Sequence, residues 1–141
     1  TEEAIRGVYD SLRATSLAIK DDLVLPGGGS THSRISHHVR SQMESEPGRE
    51  RIAMEAFARA METIPAVLAE NAGQSPLDKV LELRAEARKE NQAMGVDKKG
   101  EVSPIDDVWH SLSVISESLE TSTETAISML RIDQVVSSRG D

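Results

Sequence analysis

Ala53-Met54-Glu55-Ala56-Phe57-Ala58-Arg59-Ala60-Met61-Glu62-Thr63-Ile64-Pro65-Ala66-Val67-Leu68-Ala69-Glu70-Asn71-Ala72-Gly73 is the stretch on which the fold turns. Ala53, Ala56, Phe57, Ala60, Met61, Ile64 and Leu68 recur every three or four residues, the spacing of one helix face. Pro65 lacks an N–H and crowds the preceding turn, so it predicts a kink or a restart. Asn71-Ala72-Gly73 predicts a stop, with Gly73 free to take a left-handed cap. Phe57, the one large ring on this helix, is expected in the core.

Upstream, Ile5, Val8, Leu12 and Ile19 predict a first helix from about Glu3 to Lys20, ended by Asp21-Asp22. Val24-Leu25-Pro26-Gly27-Gly28-Gly29-Ser30 follows. Three glycines free the backbone for positive φ and close approach, and Ser30 is placed to cap the next helix. A glycine turn feeding a helix N-terminus presents free N–H groups to an anion, although this one fits neither GxxxxGK[ST] nor GxGxxG. The second helix carries Ile35, Val39 and Met43 in one stripe. His32, His37 and His38 lie among them at spacings unlike the i, i+4 pair that metal ligation on a helix wants, so no metal site is expected.

Downstream, Ser75-Pro76-Leu77-Asp78 has the form of a capped helix start, and that helix is expected to run to about Gln92. Its Arg84, Glu86, Arg88, Lys89 and Glu90 read as a solvated face. Val96 and Val102 flank a turn containing Gly100, which predicts a small hairpin. Ser103-Pro104-Ile105-Asp106 repeats the capping form and is expected to open a long helix through Val108, Trp109, Leu112, Ile115, Leu119, Ile127 and Leu130. Thr121, Thr123 and Thr125 disfavour helix there, so packing is expected to hold that section. The expected architecture is all-α, a bundle of about five helices with one small β-hairpin.

Composition narrows the function. The 141 residues suit one domain. Tyr9, Phe57 and Trp109 are the only aromatics, so small and aliphatic side chains must do the packing. A net charge of −8 argues against nucleic acid and against an anionic membrane surface. There is no cysteine, which excludes disulfides and thiolate metal sites. No apolar run approaches a membrane span, and Thr1-Glu2-Glu3 does not resemble a signal peptide, so a cytoplasmic protein is expected.

Several of these segments together resemble one family. Glu55-Ala56-Phe57-Ala58, Ile64-Pro65 and Leu68-Ala69-Glu70-Asn71-Ala72-Gly73 resemble the group II chaperonin signature E-A-F-A…I-P…L-A-E-N-A-G. Leu83-Arg84-Ala85-Glu86, Gly95-Val96-Asp97 with Gly100-Glu101-Val102, Met129-Leu130-Arg131-Ile132-Asp133, and the Val24–Gly29 turn resemble further family segments in the family's order. The resemblance, to archaeal thermosome subunits and the eukaryotic cytosolic chaperonin, implies a return helix of the intermediate domain at 1–22 and the C-terminal half of an equatorial domain at 23–141. It implies ATP with Mg2+ as cofactor, other chaperonin subunits or self-association as partners, and contact with unfolded proteins only through an apical domain that these residues do not match.

The resemblance also implies roles. Asp10 matches the aspartate that positions the water attacking the γ-phosphate. Gly27, Gly28 and Gly29 match the turn against the nucleotide, with Gly28 as the contact. Val96, Asp97 and Lys98 match the hairpin that meets the nucleoside. His110 stands where the family has an acidic residue that holds the ribose, and the hairpin is a few residues shorter than usual. These departures leave a rival expectation, a stand-alone chaperonin-like interaction protein without ATPase activity.

Overall fold

The computed structural model describes residues 2–89 and 92–138, in two compact units. Among the described residues five α-helices form: α1 (Glu2–Asp21), α2 (Ser30–Gln42), α3 (Gly48–Asn71), α4 (Pro76–Ala87) and α5 (Leu112–Ser138). The other regular elements among the described residues are a 3-10 helix at Met43–Ser45 and four three-residue strands. Val24–Pro26 (β1) pairs with Trp109–Ser111 (β4), and Met94–Val96 (β2) pairs with Val102–Pro104 (β3).

The unit from Leu25 to Trp109 holds α2, α3, α4 and the β2–β3 hairpin. Its core is small: Ala69, Leu83 and Val96 are buried together, with Met94 and Val102 against them. Helix α3 runs unbroken through Pro65, so neither a restart nor a new helix occurs there. It ends as expected. Gly73 takes φ +79°, its N–H reaches Glu70 O at 2.9 Å, and Gln74 N–H reaches Ala69 O at 2.9 Å. These are the two bonds of a Schellman cap.

The buried face of α3 differs from the expected one. Ala58, Met61, Glu62, Pro65 and Ala69 are buried, mostly one residue after the predicted positions. Phe57 is only half-buried, and Ala53, Ala56, Ala60, Ile64 and Leu68 are exposed. Helix α2 shows the same displacement. Its buried residues are Ser30, Ser33 and Ser36 rather than Ile35, Val39 and Met43. Small side chains let two helix backbones approach closely, and α2 packs chiefly against α3.

The two Ser-Pro starts diverge. Ser75 caps α4 as expected, its Oγ accepting the Asp78 N–H at 3.4 Å. That helix ends at Ala87, short of Gln92, and Glu90 lies outside the described residues. Ser103 caps nothing: it lies in β3, opposite Gly95, and its hydroxyl donates to Asp97 Oδ2 at 3.2 Å. Ile105 is buried beside Gly28 and Gly95. The last helix therefore starts at Leu112, seven residues after Ile105. Trp109 is exposed on β4, its Nε1–H donating to Asp106 O at 3.1 Å.

The other unit, residues 1–24 and 110–141, holds α1 and α5, which contact each other. Ile5, Val8, Leu12 and Ile19 are exposed. The hydroxyl-rich middle of α5 is exposed too, so packing does not hold it. Its hydroxyls instead donate to carbonyls one turn back, Thr123 to Leu119 O at 2.7 Å and Thr125 to Thr121 O at 2.8 Å. No described helix is long and apolar enough to cross a membrane.

Candidate functional site

The glycine turn and the hairpin come together. Gly28 and Gly29 take φ of +61° and +71°, as the tri-glycine run requires. Ser30 is the first helical residue and Gly29 the N-cap, so Ser30 does not cap α2. Ser30 N–H closes the turn on Gly27 O at 3.0 Å, and Thr31 Oγ1 donates to Pro26 O at 2.9 Å. Val96 N–H then reaches back to Gly28 O at 2.7 Å. A Cβ on Gly95 would stand 2.8 Å from Gly28 O and 3.1 Å from Gly27 O. One wall is thus built from Gly27, Gly28, Gly95 and Val96. Gly29 faces elsewhere: a Cβ there would meet the Pro65 ring of α3 at 2.7 Å.

Asp97 and Lys98 stand beside this wall with their charges already engaged. Asp97 Oδ1 accepts the N–H groups of Lys99 at 2.8 Å and Glu101 at 3.0 Å. With the Ser103 hydroxyl on Oδ2, these bonds hold the carboxyl below the usual aspartate range, the Glu101 and Lys99 amides contributing most. Lys98 Nζ pairs with Asp107 Oδ2 at 3.1 Å, both side chains exposed. A ligand at this wall would meet Asp97 through its backbone.

Asp10 and His110 belong to the other unit, Asp10 exposed on α1 and His110 exposed on β4. Among the described residues no group of three or more His, Asp or Glu side chains could hold a metal ion. One polar atom near the glycine turn is unpaired among the described residues. Ser30 Oγ, at the start of α2 beside the glycines, is fully buried and has no hydrogen-bond partner among the described residues. Such an orphan calls for an explanation. The polar groups offered here are backbone atoms and one orphan hydroxyl, and no cluster among the described residues fits Mg2+.

The densest polar contact was not legible in the sequence. Glu62 of α3, its side chain 9% exposed, is gripped by two guanidinium groups. Arg84 donates from Nε at 2.8 Å and Nη2 at 2.6 Å. Arg40 donates from both terminal nitrogens, and the Ser36 hydroxyl adds a bond at 3.0 Å. Burial pushes the Glu62 carboxyl up, but the bonds from Arg84, Arg40 and Ser36 outweigh it and hold it down to about 2. Arg40 also forks onto Glu55 at 3.1 Å twice. Arg84, expected on a solvated face, is therefore a structural cation. The one available signal was an acid in line with Ala58, Met61, Pro65 and Ala69. A cavity of about 280 Å³ opens beside this network, between α2 and α4.

Comparison with known proteins bears on all of this. The TCP-1/cpn60 chaperonin family matches over residues 1–139. The chain belongs to that family. This chaperonin-family chain is 39% identical over 142 residues to thermosome subunit beta of Archaeoglobus fulgidus, covering 99% of itself and 26% of that relative. It is 39% identical over 138 residues to thermosome subunit 1 of Haloferax volcanii, covering 96% of itself and 25% of the relative. The open-state monomer of a group II chaperonin from Methanococcoides burtonii superposes with a TM-score of 0.80 at 33% identity, over 89% of this chain and 32% of the other. The chain thus spans about a quarter of the length of the curated relatives it matches. The chaperonin fold expected from the sequence is borne out.

Proposed function

We propose that this chain is a segment of an ATP-dependent group II chaperonin subunit that assists protein folding in the cytoplasm of an archaeon. In this reading residues 1–22 are a return helix of the intermediate domain and 23–141 the C-terminal half of the equatorial domain. The segment contributes one wall of the nucleotide site and contacts to other subunits. The carrying observation is the join of glycine turn and hairpin, where Val96 N–H meets Gly28 O at 2.7 Å beside the orphan Ser30 hydroxyl. Two sequence-distant segments that the family places at the nucleotide are held together here by direct bonds.

The roles follow from chemistry. Gly28, half-buried and at φ +61°, lets the hairpin close on the turn, since a Cβ there would stand 2.8 Å from Val96 O and 3.0 Å from Ile105. Val96 and the Asp97 backbone border the nucleoside. Asp10 orients the attacking water and draws on its proton, as a helix-borne carboxylate beside a phosphate can. Bound ATP with magnesium supplies the phosphoryl group and the neutralising charge. His110 replaces an anionic ribose holder with an imidazole, which lowers nucleotide affinity.

The test is Asp10→Ala in the natural full-length protein. An aspartate that acts mainly in the transition state should, when removed, lower kcat on the order of 100-fold while ATP still binds. Unchanged turnover rejects the role of Asp10. His110 and the engaged Asp97 carboxylate favour a second reading, a stand-alone chaperonin-like interaction protein without ATPase activity. An intact mass of the natural protein near 15.3 kDa, with no ATP turnover, would select it.

A further inference from the structure

The hairpin tip is anchored by two residues outside the wall. Lys79 Nζ donates to Glu101 Oε2 at 2.7 Å, and Gln74 Nε2 donates to Glu101 Oε1 at 3.0 Å. Both oxygens of one carboxylate are thereby tied to α4 and to the α3–α4 corner. Gly100, at φ +79°, lies so close to that corner that a Cβ would fall 2.5 Å from Gln74 Cγ and 2.8 Å from Ala72 Cβ. Glycine at this position is what lets the tip approach the corner so closely.

Glu101 carries this anchorage into the hairpin through its backbone. Its N–H donates to Asp97 Oδ1 at 3.0 Å, and its carbonyl accepts the Asp97 N–H at 2.9 Å. One residue earlier, Val96 N–H reaches Gly28 O at 2.7 Å. A continuous series of bonds runs from Lys79 through Glu101, Asp97 and Val96 to the glycine turn.

A buried lysine is often only a paired charge, and Glu82 on the same helix, at 3.3 Å, would serve for that. The Glu101 bond is shorter and spans 22 residues, to a hairpin whose strands have three residues each. A two-stranded hairpin that short does not hold its own position. We infer that Lys79, with Gln74, is a positioning residue for the nucleotide wall, fixing where Val96 and the Gly28 carbonyl stand and so how tightly a nucleoside is held. The inference rests on reading that wall as a nucleotide site. It assigns affinity rather than turnover to Lys79, because the series of bonds ends at the glycine turn and does not include Asp10.

In the natural full-length protein, Lys79→Met is expected to raise both Kd and KM for ATP roughly fivefold while kcat stays within about twofold. Lys79→Arg should restore both, and hydrogen exchange at the Lys99 and Glu101 amides should quicken only in Lys79→Met. Lys89→Met, which removes a pair between Glu86 of α4 and the turn that follows that helix, should change none of these. If Lys79→Met fails to fold, Gln74→Met carries the same test, with a shift of about twofold expected. ATP binding unchanged in these variants, or a fall in kcat at constant KM, overturns the inference and leaves the nucleotide reading standing. An unaltered protein that binds no ATP overturns the nucleotide reading, and the inference with it.

Discussion

Helix α3 carries two stripes on opposite sides, and comparing them shows what decides burial here. The covered side holds Ala58, Met61, Glu62, Pro65 and Ala69. The bare side holds Ile52, Ala53, Ala56, Ala60, Ile64 and Val67, with Ile64 45% and Val67 44% exposed. The covered side is the less hydrophobic of the two. It is covered because each odd residue on it has a made-to-measure neighbour. Glu62 finds Arg40, Arg84 and Ser36, and Pro65 finds the backbone of Gly29. Aliphatic area alone did not bring a partner to the other side.

Removing the fitted charge should break the covered side most severely. Glu62→Gln leaves two guanidinium groups around a neutral amide, and about 3 kcal/mol of stability should be lost by denaturant unfolding. Acid should reveal the same interaction. The folded Glu62 carboxyl is held at about 2 against an ordinary value of 4.5. A lowered folded value means the stabilisation is complete above about pH 4.5 and is lost as pH falls toward 2. The unaltered protein should therefore lose on the order of 2–3 kcal/mol over that window. Glu62→Gln should show a flatter acid limb. Equal slopes in the two proteins would mean that the network contributes nothing net.

The backbone fit should matter somewhat less. Gly29→Ala asks an alanine to hold φ +71° with its Cβ 2.7 Å from the Pro65 ring. About 2 kcal/mol of destabilisation is expected, measured as a shift in the urea midpoint at constant slope. Gly48 is the matched control: a methyl there would have nothing within 4 Å and φ is not positive, so alanine should be tolerated.

What could be read from the chain was local. The Gly73 stop, the Ser75 cap, the glycine turn and the Val96–Val102 pairing each depend on residues a few positions apart. One failure was local, Gly29 rather than Ser30 standing at the N-cap of α2; the larger ones were non-local. Ser103-Pro104-Ile105-Asp106 has the same form as the start of α4, but Asp97 engages the Ser103 hydroxyl and a pocket beside Gly28 takes Ile105. The face of α3 was misplaced because Glu62 counted as polar until Arg40 and Arg84 arrived from other helices. In the candidate site, Gly27, Gly28 and Val96 were legible through the family resemblance and do meet. That the Asp97 carboxylate is used within its own hairpin was not legible, since two of its partners are backbone N–H groups and the third, Ser103, read as a helix cap.

The bare side of α3 should give the smallest change in fold stability and the clearest change in behaviour. Ile64→Ser removes an aliphatic side chain that is 45% exposed. Unfolding free energy should shift by no more than about 0.5 kcal/mol. The unaltered chain, by contrast, exposes Ile52, Ile64 and Val67 along one side of the helix, and exposed apolar area drives association. Sedimentation velocity at micromolar concentration should therefore find the unaltered chain self-associated and Ile64→Ser shifted toward monomer. If Ile64→Ser unfolds as easily as Glu62→Gln, the bare side is covered after all and the contrast between the faces fails. If the unaltered chain sediments as a clean monomer, the bare stripe has too little attraction to serve as a contact, and the proposed half-domain character of residues 23–141 loses its physical support.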